Sequence, residues 1–131
     1  MGAWRGKKET YQIRCEEVRR SNDQAFHSEV AENDEYREVR QEATGKVTNQ
    51  VLLMKIARND KEEWVRIVAL RTLNDQDFLG EVAKNDPSAQ VRLLTVQRLN
   101  NKALVVEIAE NDENKMVRQA AEERLILFET Q

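Results

Sequence analysis

Asn-Asp, followed five residues later by Val-Arg, occurs four times in this chain. The copies are Asn33-Asp34 with Val39-Arg40, Asn59-Asp60 with Val65-Arg66, Asn85-Asp86 with Val91-Arg92 and Asn111-Asp112 with Val117-Arg118. Each stands 26 residues after the last, with no insertion or deletion. A fixed period of this length is the mark of a repeat array, in which each unit covers its neighbour's apolar face. One such unit buries too little surface to offset the entropy of ordering it, so the units must stack.

The period divides the chain into residues 1–20, an N-terminal tail and capping helix, and residues 21–131. The latter hold four units (21–46, 47–72, 73–98, 99–124) and a short C-terminal cap. In the first segment Ile13-Arg14 echoes Val39-Arg40, while Lys7-Lys8 take the place of Asn-Asp. A lone helix over roughly residues 9–20 is expected there, with residues 1–8 mobile.

Each unit carries two helix starts. The first falls at Asp23, Asn49, Asp75 and Asn101, all residues suited to cap an N-terminus. Core-type pairs follow: Phe26 with Val30, Leu52 with Ile56, Phe78 with Val82 and Leu104 with Ile108. The second start is placed at the Asn-Asp. Pro87 after Asp86 reads as the first helical position, and Asp60 with Glu63 has the spacing of a capping box. A helix of about thirteen residues is expected from each. It carries the stripe Val39-Ala43-Val47, repeated as Val65-Ala69-Leu73, Val91-Thr95-Leu99 and Val117-Ala121-Leu125. With four Gly, one Pro and no strand-like alternation, the expected class is all-α. The expected architecture is a right-handed α-α superhelix, or α-solenoid, of four two-helix repeats with an N-terminal capping helix.

The turn Asp with Val-Arg six residues on resembles HEAT repeats, over roughly residues 21–131 and in Ile13-Arg14. The 26-residue unit is shorter than the family's usual one and is similar to bacterial HEAT-like and leucine-rich-variant repeats. The resemblance implies a structural ladder from Asp34, Arg40, Asp60, Arg66, Asp86, Arg92, Asp112 and Arg118 that links successive repeats. It also implies a concave surface made of second helices, and scaffolding or recognition as the function. The same family includes a few enzymes.

Chemistry-bearing residues are sparse. His27 is the only histidine and Cys15 the only cysteine, which leaves no His-rich metal site, no relay of two histidines and no intramolecular disulfide. His27 is expected at the surface or its boundary. Cys15 lies beside Arg14 and Arg19, cations that lower a thiol pKa. One Asp per repeat is a spacing too wide for a calcium site. No catalytic residue, metal or cofactor is expected. A net charge of −3 argues against a nucleic-acid partner, and no run is apolar enough to span a membrane. The N-terminal Arg5, Lys7, Lys8, Arg14, Arg19 and Arg20 form a mildly basic segment, suited to an acidic partner or equally to a solvated cap.

One feature does not follow from the repeat. On a helical wheel with Val65, Ala69 and Leu73 facing the core, Ile67 points away and Leu70 lies on a flank. Leu93 and Val96 repeat this in the next unit, while the outer units carry Gln41 and Thr44, then Gln119 and Glu122. Trp64 and Arg71 share the outward side, with Gln90 and Gln97 beside them. Trp64, Ile67, Leu70, Arg71, Gln90, Leu93, Val96 and Gln97 therefore form the expected contact surface, an apolar centre with a polar rim. The alternative is that Leu70 and Val96 pack between helices.

The expected function is a non-catalytic, cytoplasmic protein-interaction or scaffold module that binds a protein or peptide partner, as a monomer or with weak self-association. The alternatives are a HEAT-like enzyme or enzyme subunit that handles pigments or nucleic acid, and a structural self-associating repeat. Ile126-Leu127-Phe128 are expected to form a last helical turn packed on the fourth unit.

Overall fold

The computed structural model describes residues 7–130, with side chains from residue 10 onward. Residues 1–6, expected to be mobile, lie outside the described residues. Among the described residues the chain is all helical, with nine α-helices and no strand. They are α1 (Lys7–Arg20), α2 (Gln24–Asn33), α3 (Arg37–Thr44), α4 (Gln50–Asn59), α5 (Glu63–Leu70), α6 (Gln76–Asn85), α7 (Ala89–Val96), α8 (Lys102–Asn111) and α9 (Lys115–Glu129). The lone N-terminal helix starts at Lys7, two residues before the expected position.

The chain divides into two compact units, Met1–Arg71 and Thr72–Gln131. In the first, α2 packs on α3 and α4 on α5, and α3 lies between α1 and α5. In the second, α6 packs on α7 and α8 on α9, with α7 against α9. These contacts between sequence neighbours are those of a helical repeat.

The first helix of each pair begins where the sequence places it. Asp23, Asn49, Asp75 and Asn101 are N-caps in extended conformation, each accepting a backbone N–H from the first turn. All four helices are α-helical over ten residues. In the second unit a Cβ at Gly80 would meet the flexible end of the Leu104 side chain, Cδ2 at 2.8 Å.

The second start differs from the expectation. Asp34, Asp60, Asp86 and Asp112 are C-caps of the first helices, not N-caps of the second. Each carboxylate instead accepts the N–H two residues on, from Tyr36, Glu62, Ser88 and Asn114, at 2.8–2.9 Å. Such an Asx turn reverses the chain before the helix begins. The N-caps are Tyr36, Glu62, Ser88 and Asn114, so Pro87 sits in the turn and Asp60 with Glu63 is not a capping box.

The second helices are also shorter, eight residues each in α3, α5 and α7. Their ends tighten into three-residue bonds such as Lys46 N–H to Ala43, Arg71 to Val68 and Arg98 to Thr95. That tightening ends a helix. It still turns the last stripe residue inward: Val47, Leu73 and Leu99 are buried beyond the helices. In α9 the counterparts of Asn100-Asn101 are Ile126-Leu127, which lack a capping oxygen, and the helix runs on to Glu129.

The deepest first-helix position is one residue later than expected. Leu53, Leu79 and Val105 are almost fully buried, while Leu52 and Leu104 are only half-buried. The first unit places His27 there, 2% exposed, which overturns its expected surface position. Its Nε2 lies 3.2 Å from the Val18 carbonyl. A carbonyl only accepts, so Nε2 carries the hydrogen, and Nδ1 is left buried without a partner. The Val18 carbonyl keeps a second donor, the Ser21 N–H. Removing the orphan Nδ1 outweighs losing one bond. His27→Leu is therefore expected to raise stability by about 1 kcal/mol at neutral pH, read from the urea midpoint. A loss of stability would show the ring is better satisfied than this geometry implies.

Candidate functional site

The turn aspartates and helix arginines are joined differently from a simple Asp–Arg pair within each repeat. Arg40 donates Nη1–H to the backbone carbonyl of its own Asp34 at 2.9 Å. Its Nε and Nη2 grip the carboxylate of the next turn, Asp60, at 2.9 and 3.3 Å. Arg92 repeats this with the Asp86 carbonyl and the Asp112 carboxylate, at 2.8, 2.9 and 3.2 Å. Arg66 and Arg118 bond the carbonyls of Asp60 and Asp112 in the same way. Arg14, the echo in α1, reaches the Asp34 carboxylate at 3.2 Å, so the capping helix joins the set. Arg40 and Arg92 are buried, and paired guanidinium and carboxylate are the way such burial is tolerated. These arginines are occupied by structure and do not form a phosphate-binding stripe.

Of the expected contact residues, Trp64, Ile67, Leu70 and Arg71 belong to α5 and its C-cap. Trp64 is 50% exposed and Arg71 is exposed, but Ile67 at 8% and Leu70 at 4% are buried. The outward position expected for Ile67 is thus corrected. Helix α5 packs on both α4 and α3. Two helical neighbours cover a wider arc than one stripe, and every residue from Val65 to Leu70 is buried. On α7 and its C-cap, Gln90 and Gln97 are exposed, Leu93 is half-buried and Val96 is fully buried.

What remains on α5 is a pair of side chains at its two ends. Trp64 and Arg71 are seven residues apart, two helical turns, and so lie on one side about 10 Å apart along the axis. Arg71 keeps helical backbone angles, and no hydrogen bond or ion pair involves its side chain among the described residues. Arg71 borders a groove of about 370 Å³ whose walls come from α1, α3 and α5. Tyr11, Gln41 and Val68 contribute to it, and Arg19 bonds Glu42 there at 3.0 Å.

Cys15 lies at the same groove but only 6% exposed, its Sγ 3.7 Å from the Glu38 carbonyl. Burial first, and the Glu42 carboxylate second, push its thiol pKa up, against the lowering by Arg19. The basic neighbours seen in sequence do not activate it, because Arg19 is itself paired with Glu42. Among the described residues no group of three or more His, Cys, Asp or Glu is placed to hold a metal. No described helix is long and apolar enough to cross a membrane.

Two residues with structural roles escape the sequence pattern. Gln24 donates to the Lys46 carbonyl and accepts the Thr48 N–H, and Gln76 does the same with Arg98 and Asn100. Both stand just after an N-cap, and their recurrence 52 residues apart was the available signal. At the C-terminal end, Ile126 is 59% and Leu127 50% exposed, against the expected packing, while Phe128 is half-buried with Arg124 over its ring at 5.2 Å. Compared with protein-family models, with curated proteins and with solved structures, the chain matches none.

Proposed function

We propose that the chain is a non-catalytic protein-interaction module, a HEAT-like α-solenoid that binds a protein or peptide segment along the concave side of its second helices. The observation that carries this reading is the pair Trp64 and Arg71. A large aromatic and an unpartnered guanidinium stand exposed on one line of an otherwise buried helix, and the guanidinium borders a groove. Trp and Arg are the side chains whose truncation most often costs binding energy. Neither supports the fold visibly, so their exposure has no packing explanation. The HEAT-like assignment is supported by arginines that join their own turn to the next one. The cytoplasmic setting belongs to the same proposal, supported by a single buried thiol.

The partner is proposed to be another molecule and not a second copy. Light scattering over a wide concentration range is expected to return the 15.3 kDa of one chain throughout. A dimer that grows with concentration and vanishes in Trp64→Asp would overturn this and make the face a self-interface. Arg71→Glu is expected to change stability by no more than about 0.5 kcal/mol, as exposed positions do, and Trp64→Ala to cost about 1–2 kcal/mol for the half of the indole that is covered. Denaturant midpoints check this.

A further inference from the structure

Gly45 stands where the other units carry a long side chain. Its counterparts at 26-residue steps are Arg71, Gln97 and Glu123. Neither conformation nor space requires glycine there. The backbone is right-handed, with φ −62° and ψ −17°, angles that any residue adopts. A Cβ would make ordinary contacts, 3.5 Å from the Glu42 carbonyl oxygen and 3.8 Å from Val68 Cγ1. What the missing side chain does is leave open the groove between α1, α3 and α5, which Gly45 and Val68 line.

Most polar groups of this groove are satisfied within the fold. Arg19 is paired with Glu42 at 3.0 Å, and Glu38 with Arg37 at 3.6 Å. Cys15 is buried against the Glu38 carbonyl. Tyr11, Gln41 and Arg71 line the same groove. Among the described residues no hydrogen bond or ion pair engages the Tyr11 hydroxyl, the Gln41 side-chain amide or the Arg71 guanidinium. Arg71 is therefore the unpaired charge of the groove, and two neutral donors line the same space.

We propose that this groove binds the side-chain carboxylate of an acidic peptide segment in another protein, with Arg71 as its ion partner and Tyr11 and Gln41 as further donors. Granted the α5 face as a binding surface, on which this rests, the ligand follows from charge. An Asp or Glu side chain complements the one unpaired cation. A phosphate group is disfavoured, because its second negative charge meets Glu38 and Glu42 on the walls. A free small carboxylate gains too little from an exposed ion pair. A peptide adds the contact of an apolar side chain with Trp64, on the same side of α5 as Arg71. The groove is open and not a closed cavity, so it admits a chain that runs on past the carboxylate.

The test is a selection of displayed random peptides on the full chain. Enriched peptides are remade as C-terminal amides, so that only side chains supply a carboxylate. Those lost with Trp64→Ala are expected to carry an Asp or Glu whose change to Asn or Gln weakens binding roughly tenfold. Arg71→Gln is expected to weaken it as much, and Arg71→Glu to prefer the same peptide with Lys in place of the acid. Gly45→Gln, which copies the side chain of Gln97, is expected to fill the groove and abolish binding. Circular dichroism shows that each variant is folded. Peptides lost with Trp64→Ala that bind Arg71→Gln or Gly45→Gln as well as wild type would overturn the carboxylate site and leave the α5 face standing. No peptide lost with Trp64→Ala would overturn both. A dimer of the chain alone that is lost with Gly45→Gln would overturn the choice of an outside partner.

Discussion

Replacing Asp112 with Ala is expected to lower the free energy of unfolding by about 3–5 kcal/mol, the largest effect of any single substitution considered. The carboxylate is 6% exposed and Arg92 7%, with Nε to Oδ2 at 2.9 Å. Removing it leaves a buried guanidinium with only the exposed Glu113 carboxylate, 3.8 Å from Nη2, as a counter-charge. It also removes the acceptor of the Asn114 N–H that shapes the turn into α9. The cost is the stranded charge more than the net strength of the pair. Arg92→Met added to Asp112→Ala is therefore expected to restore a large part of the loss, since an apolar side chain of similar reach suits a buried site. If the double variant is no more stable than Asp112→Ala, the stranded charge is not the cause.

The same residue fixes a pH dependence. Burial pushes the Asp112 carboxyl up, but the Arg92 hydrogen bond, the Asn114 N–H and the charges of Arg92 and Arg118 outweigh it and hold the group below the usual aspartate range. A folded-state pKa below the unfolded one stabilises the fold above the unfolded value, about 3.9. That contribution is lost as pH falls from there through the folded pKa. Wild type is thus expected to lose stability more steeply than Asp112→Ala below about pH 4, measured by urea unfolding across pH.

Leu79→Ala is expected to cost about 3 kcal/mol, within the usual range for a fully buried leucine. Leu79 is 1% exposed and lies in α6, against the neighbouring helices of its unit. Leu53→Ala, equally buried in α4, is expected to match it. The informative comparison is with Leu52, one residue earlier and only half-buried. Leu52→Ala is expected to cost about half as much, because part of its surface stays in water in the folded state. Equal losses at Leu52 and Leu53, by denaturant midpoint, would contradict the register of the first helices described here.

These residues show where the sequence could be read and where it could not. The period, the helical class and the Asx caps at Asp23, Asn49, Asp75 and Asn101 were legible because each is a local signal repeated four times. The Asn-Asp was misplaced by one turn of chain. An Asp can cap a helix or hold an Asx turn, and only the backbone after it decides between them. The second helices came out long because a stripe such as Val39-Ala43-Val47 stays buried even when its last residue lies in a tight turn. The first-helix core was read in part: Ile56, Phe78, Val82 and Ile108 are buried as expected, while His27, Leu53, Leu79 and Val105 went unread because Phe26 and Phe78, the largest side chains, drew attention from their neighbours.

Exposure of the expected contact residues was legible only in part. Trp64 and Arg71 stand out by residue type and spacing alone, and both are exposed. Ile67 was misjudged because a single helical wheel has one inside, whereas α5 touches two helices of its own unit. Which carboxylate each arginine takes was not legible from spacing. A spacing of six, from Asp34 to Arg40, is visible in sequence, but it reports a bond to the backbone. The carboxylate bond runs over twenty residues, from Arg40 to Asp60, and follows from stacking.

Quantitative affinity capture with three forms of the chain decides whether the α5 face binds a partner. They are wild type, Trp64→Ala with Arg71→Glu, and Val51→Ser, a control at a 73% exposed position on α4. A defined set of proteins is expected to be enriched equally by wild type and Val51→Ser and lost with Trp64→Ala/Arg71→Glu, at unchanged fold. The same set captured equally by all three forms would contradict it, and the α5 face would then have no part in binding.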